Sequence, residues 1–354
     1  MGLHRLSVAA GCAALVASAC GNGDSVEGDV VALDVPPIPL AEGEEVLGRC
    51  HSWTLHNEEP VFVQSIRMRG TEGIHHSNWF YVDDDTYDAP DGSDGDGFWD
   101  CGDRGFTTQG AALAGGVLFA QSTQALDETQ AFDPGAVIAL PPHSRIVVDL
   151  HLVNTYGESL ESDIDLELRT IPRDEVETPL TGFIMTYADL HIQPRARTEV
   201  SMECDFASAH QASLGRPLDF RVHYVLPHYH SYGDMLRLEL LGGEHDGETL
   251  WEVNTRIGEV LGGVPEADMA DMTGATGLRM TCGFDNPTDE KVEWGNGDGE
   301  MCITFGFTDS ERLWSGDVGS GDGELVEAAP DDTLFRYEGP CTVINAPPRG
   351  TNEL

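Results

Sequence analysis

His228 and His230 stand one residue apart at the close of the apolar run Tyr224-Val225-Leu226-Pro227-His228-Tyr229-His230. On an extended chain residues i and i+2 leave the same face, so both rings can reach one metal ion. Far upstream are the dipeptide His75-His76 and a single histidine, His151, inside Val148-Asp149-Leu150-His151-Leu152. Downstream, Met301 lies in Gly299-Glu300-Met301-Cys302-Ile303. Three imidazoles, His75, His76 and His151, make a borderline-soft nitrogen set that suits copper or zinc. His228 and His230 with the thioether of Met301 make a softer set that favours Cu(I). Ordinary alternatives exist for both: His-x-His pairs also occur as surface or hydrogen-bonded histidines. Met301 shares its strand parity with Ile303, Phe305 and Phe307, as a core methionine would.

Such residues need strands to position them. Ile146, Val148, Leu150 and Leu152 alternate cleanly, which turns Val147, Asp149, His151 and Val153 to the opposite face. His75 and His76 cannot share a face of a regular strand, so a bulge, a strand end or the nearby Gly73 must redirect one ring. Looser alternation runs through Val61 to Ile66, Phe220 to Leu226, Leu236 to Leu240 and Met301 to Phe307. No long stretch has a 3.6-residue apolar period. Many short strands with Gly-rich turns predict an all-β protein of antiparallel sandwiches. The boundary between two domains falls near Ile171 to Pro179, where charge and two prolines interrupt the strands.

The chain has 354 residues, enough for two cores. It carries 62 acidic against 19 basic side chains, a formal charge of −43, and Lys291 is its sole lysine. That excludes a nucleic-acid backbone as partner; an acidic surface instead keeps the protein soluble and draws cations. His4 and Arg5 precede the small, apolar run Leu6 to Ala19, which is too short to span a membrane, so residues 1–19 read as a signal peptide. Ala17-Ser18-Ala19-Cys20 suits a lipidated Cys20 or plain cleavage, and residues 20–44, acidic with Gly and Pro, read as a flexible tether. The expected location is therefore exported: an outer-membrane lipoprotein, the cell surface or the periplasm, touching the membrane only through its N-terminal lipid anchor. Cys50, Cys101, Cys204, Cys282, Cys302 and Cys341 are an even set in an exported chain, which predicts three disulfides with the pairing left open. The loop from Asp83 to Asp103 is rich in aspartate and glycine and is a candidate for calcium, although Gly92 stands where an EF-hand loop places its first ligand. A solvated acidic loop is the alternative. No Gly-rich phosphate loop or G-x-S-x-G elbow is present.

His-His, then His, then His-x-His, then Met-Cys, at nearly even intervals, resembles the copper type II, ascorbate-dependent monooxygenases, the family of dopamine β-hydroxylase and the peptidylglycine α-hydroxylating monooxygenases. The resemblance covers roughly residues 45 to 345. It includes Cys50 ahead of His75-His76, Pro134-Gly135 before the His151 strand, Met280 to Asn286, and Gly295 to Cys302. It implies jelly-roll-like sandwiches over 45–172 and 177–345, a loose tail over 346–354, and disulfides Cys50–Cys101, Cys204–Cys341 and Cys282–Cys302. It also implies two copper ions per chain, unbridged and facing each other across a solvent-filled cleft. Ascorbate or a similar reductant would feed the His75/His76/His151 site. O2 and a small-molecule substrate would meet at His228, His230 and Met301, the implied catalytic residues, with hydroxylation of a C–H bond as the outcome. Asp149 is a candidate partner for the first set, and Tyr229 and Tyr232 are candidates to line the second.

One departure bears on substrate. The peptide-amidating branch holds its substrate carboxylate with an arginine, an asparagine and a tyrosine, at the positions where Leu226, Ile303 and Phe305 stand here. The implied substrate is accordingly neutral or apolar. Two other expectations compete: a copper-binding surface lipoprotein for electron transfer or copper handling without catalysis, and a calcium-stabilised adhesion or carbohydrate-binding module. The other histidines, such as His51, His143, His210 and His223, are expected to be structural or exposed.

Overall fold

Alternating Val, Ile and Leu build the first ten strands: β1 (Val30–Leu40), β2 (Glu45–Thr54), β3 (Val61–Gly70), β4 (Ile74–Asp83), β5 (Gly97–Asp100), β6 (Gly116–Ala120), β7 (Asp127–Ala131), β8 (Ala136–Leu140), β9 (Ser144–Val153) and β10 (Leu160–Thr170). The computed structural model describes residues 29–89, 95–121, 125–256, 264–295 and 299–349. The expected signal peptide, the lipid anchor at Cys20, and Asp91 and Asp94 of the acidic loop lie outside these residues. One layer runs β1-β10-β3-β8, with β7 beside β3, and the other runs β5-β2-β9-β4-β6. Apart from the short β5 and β7, this is jelly-roll order, in which the chain crosses between layers at almost every turn.

The second half repeats that order. Its strands are β11 (Thr178–Tyr187), β12 (His191–Ile192), β13 (Ala196–Cys204), β14 (Arg221–His228), β15 (Gly233–Leu241), β16 (Thr249–Asn254), β17 (Val264–Asp271), β18 (Gly277–Asn286), β19 (Val292–Glu293), β20 (Ile303–Thr308), β21 (Leu313–Val318), β22 (Glu324–Ala328), β23 (Leu334–Pro340) and β24 (Thr342–Ala346). One layer runs β11-β20-β14-β17, the other β16-β15-β18-β13, and the last four strands extend the two layers beside β11 and β13. The protein is therefore all-β, two consecutive jelly-roll-like sandwiches. They are not independent. Thr178 to Leu180 of β11 pair in parallel with Ala136 to Ile138 of β8 and fuse one layer of each into an eleven-stranded sheet.

Alternation is obeyed where it matters for the site. Ile146, Val148, Leu150 and Leu152 enter the first core, while Val147 joins a smaller cluster with Cys50, Phe80, Cys101 and Phe106. Tyr224, Leu226, Phe305 and Phe307, all from the second half, belong to the first core as well. The ring of Phe132 lies 5.0 Å from that of Phe307 and 5.8 Å from that of Tyr224. The disulfides are Cys50–Cys101, Cys204–Cys341 and Cys282–Cys302, the pairing that the resemblance implies.

Two segments differ from expectation. Residues 30–40, expected within a flexible tether, form β1 and pair with β10. Its prolines mislead: Pro36 and Pro37 sit where the register shifts between Val35 and Ile38 on an edge strand, a place that tolerates a missing N–H. Leu33, Val35, Ile38 and Leu40 are buried. The expected loose tail is also anchored, through residue 349. The Arg349 guanidinium donates to the carbonyls of Val82 (3.1 Å), Pro142 (3.1 Å) and His143 (3.0 Å) and to Ser144 Oγ (2.9 Å), and pairs with Asp83. The end of the second sandwich is thus tied to the first. Among the described residues no helix is long and apolar enough to cross a membrane.

Candidate metal centre

The first histidine set is made by a bulge. Gly73, at φ +97°, turns the chain into β4 where a Cβ would meet Leu40 at 2.9 Å. Ile74 then pairs with Leu152 and His76 with His151, and the register shift between them makes His75 the extra residue. The dipeptide thereby presents both rings to one side. His75 stacks on His76 at 4.3 Å between centroids and meets His151 edge-on at 4.4 Å. His151 Nε2 lies 2.8 Å from Glu45 Oε1 at the start of β2. A carboxylate only accepts, so Nε2 carries a proton in this contact. Asp149, the expected partner of this set, instead lies with Oδ1 3.6 Å from Cys101 Sγ; Glu45 occupies the role.

The second set forms where β14 ends against β20. His228 pairs with Ile303, and Met301 lies two residues ahead of Ile303, just before β20 begins. His228 has the parity of Tyr224 and Leu226, the face of β14 that packs against the first sandwich. His230 Nδ1 donates to the Gly299 carbonyl at 2.8 Å, which leaves Nε2 as a bare lone pair, buried and without a hydrogen-bond partner. A buried orphan nitrogen of fixed tautomer could serve as a metal ligand. Glu300, fully buried, fixes the turn: its carboxylate accepts the N–H of His230 (2.8 Å) and of Tyr232 (2.6 Å), with those of Gly233 and Met301 close by. Burial outweighs the pull of these N–H groups and leaves the Glu300 carboxyl raised to about 7. Neither tyrosine lines the site. Tyr229 belongs to the second core and hydrogen-bonds Thr255 Oγ1 at 2.6 Å, and Tyr232 packs against that core.

The two sets meet at one rim. His76 lies 5.0 Å from His228 and 5.5 Å from His230 between ring centroids. Candidate ligand atoms of His75, His76 and His151 all fall within 4.8 Å of one another, and so do those of His76, His228 and His230. No cleft separates them, contrary to the implied arrangement, because β14 and β20 are packed into the first core. Burial and mutual repulsion favour the neutral form of His75, His76 and His230. His75 is lowered to about 4 by burial first and then by His151 and His230; His76 and His230 are lowered too, again mainly by burial. Neutral imidazoles are the form that binds metal. Sequence reasoning missed Glu45 and Glu300. Only Glu300 left a trace, as an acid inside an otherwise apolar Met-Cys strand.

Comparison with known proteins adds little. No protein family matches the chain, and no curated protein does. Solved structures overlap it loosely: Broad Bean Stain Virus at 11% identity and TM-score 0.35, covering 84% of this chain and 94% of that one, and the major capsid protein P2 from bacteriophage PM2 at 10% identity and TM-score 0.28, covering 79% and 98%. Similarity this low carries no functional argument. Elsewhere, His51 is sandwiched by Trp53 and Phe98, and His210 bonds the Arg216 carbonyl, as structural histidines do. In the acidic loop, Asp96 is taken up by Thr54 and Asp100 by Gly102.

Proposed function

We propose that this protein is an exported copper-dependent monooxygenase that hydroxylates a C–H bond of a small, neutral substrate with O2 and an ascorbate-like reductant. The observation that carries this reading is the convergence of five imidazoles from both sandwiches, with His230 Nε2 bare and buried. His75, His76 and His151 would hold one copper, and His228, His230 and Met301 the other. Bound copper would supply the one-electron and O2 chemistry that no side chain offers. The chain's own part is to hold the donors in place. Glu45 and the Gly299 carbonyl orient rings, Glu300 shapes the turn, and burial favours the neutral form of His75. Leu226, Ile303 and Phe305 offer no group to hold a carboxylate, and the chain carries −43, so an anionic substrate is disfavoured. Three disulfides suit an oxidising compartment outside the cytosol.

One observation favours a second reading. Leu226 and Phe305, where a family substrate would be gripped, are buried in the seam, which suits a copper-handling surface lipoprotein. Metal analysis with ascorbate-dependent oxygen uptake separates the two. A monooxygenase binds two copper ions and couples O2 uptake to hydroxylated product, and Met301→Ala abolishes coupled turnover while the first set stays loaded. Copper binding without turnover across a broad substrate panel selects the handling protein, and no copper binding refutes both.

A further inference from the structure

The two histidine sets are not separate in space. His76 belongs to both groups of converging ligand atoms, and its ring is closer to His228 (5.0 Å) than to its strand partner His151 (6.0 Å). His228 and His230 are themselves 5.1 Å apart. Resting on the copper reading above, we propose that the five imidazoles are a single dinuclear copper site, with His76 as the donor common to both ions, in place of two independent mononuclear sites.

Three features of the fold hold the sets together. The parallel pairing of β8 with β11 makes one sheet of a layer from each sandwich. The rings of Phe132, Tyr224 and Phe307 interlock across the seam. Arg349 ties the end of the second sandwich to β4 and to the turn before β9. With its backbone fixed by the bulge against His151, His76 stands between the other four rings. A neutral imidazole offers one lone pair, so His76 would serve both ions as an imidazolate, its N–H proton released to solvent as the second ion binds, whereas His75 and His151 would reach one ion only, and His228 and His230 the other.

Electron paramagnetic resonance with copper counting tests this on the whole protein. Cu(II) is added in steps, bound copper is measured by elemental analysis, and spins are integrated at each step. The expected result is two bound ions, with the second adding far less than its share of spin or producing dipolar broadening and a half-field transition. Two bound ions with an unperturbed signal integrating to two spins overturns the dinuclear site and leaves the copper reading standing; binding of one ion alone also overturns it. No binding overturns both. Two variants sharpen the result. His76→Ala should weaken both binding steps by at least about tenfold, while His75→Ala weakens one. One step of wild-type affinity surviving in His76→Ala refutes the shared donor. Melting of the metal-free variants identifies a folding failure, in which case the spin count of the unaltered protein decides alone.

Discussion

Glu300→Gln is a near-isosteric change at the one buried acid that shapes the second histidine set. The carboxylate accepts the backbone N–H groups of His230 and Tyr232, with those of Gly233 and Met301 close by. Hydrogen bonds to a charged acceptor contribute about 1.5–3 kcal/mol each, and a buried N–H left unpaired costs about 1–3 kcal/mol. Glutamine keeps one acceptor oxygen and turns an NH2 toward the remaining donors, so at least one of the His230 and Tyr232 N–H groups loses its partner. Removing a buried charge offsets part of that cost, since burial already raises the Glu300 carboxyl to about 7. The net expectation is a loss of about 1–3 kcal/mol. Urea unfolding of the metal-free protein at pH 8, where the carboxyl is ionised, measures it. Copper titration of the same variant should show one binding step weakened by about 10–100-fold, the effect of removing an orienting partner. Stability within about 0.5 kcal/mol of wild type, together with unchanged copper affinity, would show that Glu300 does not hold the ligand turn.

Arg349→Ala removes a guanidinium shared among three carbonyls, Ser144 and Asp83; the expected loss is about 2–3 kcal/mol, a drop in Tm of roughly 5 °C, and a shift below about 1 °C would refute the strap. The His75 imidazole is held down at about 4 against an ordinary value of 6.5, so the unfolded chain takes up its proton first as the pH falls. The stability this neutral ring contributes is complete above pH 6.5 and drains away as the pH falls through about 4. After allowance for solvent screening it amounts to about 1–2 kcal/mol, and denaturation of wild type and His75→Ala from pH 7.5 to 4 isolates it; two parallel curves would contradict the assigned burial. A net charge of −43 opposes an anionic reductant, so reduction of the copper-loaded protein by ascorbate should speed up with salt while a neutral reductant is unaffected; stopped-flow traces at low and high ionic strength check this, and an ascorbate rate that falls with salt would refute it.

Much of the site was legible because period-2 alternation is a strict rule. The even members of β9 face the core, which puts His151 on the other face, and adjacent histidines demand the irregularity that the bulge at His75 supplies. The rest was hidden for physical reasons. Prolines at Val35 to Ile38 look like a tether because the rule that permits them on an edge strand depends on which strand is the edge, a property of the whole sheet. Glu45 lies 106 residues from His151, and nothing local announces that the start of β2 reaches the end of β9. Tyr229 looked like a site residue by proximity in sequence, yet a residue between two ligands on an extended chain points the opposite way, here into the second core.

Whether the two histidine sets meet permanently or only on occasion is a question of what parting them would expose. Separation at the rim requires β14 and β20 to leave the first core, and with them Tyr224, Leu226, Phe305 and Phe307, each at most 4% exposed. At about 1.5–3 kcal/mol per large apolar side chain brought into water, the four cost about 6–12 kcal/mol, comparable with the whole stability of an ordinary domain. The Phe132 contacts and the β8–β11 pairing add to that. An opened form would therefore be rarely populated, and under the proposed function a substrate would approach the partly exposed rings of His75, His76 and His230 from the solvent side of the rim. The same closeness means that an electron entering through one histidine set is already beside the other, so reduction should not wait on domain motion.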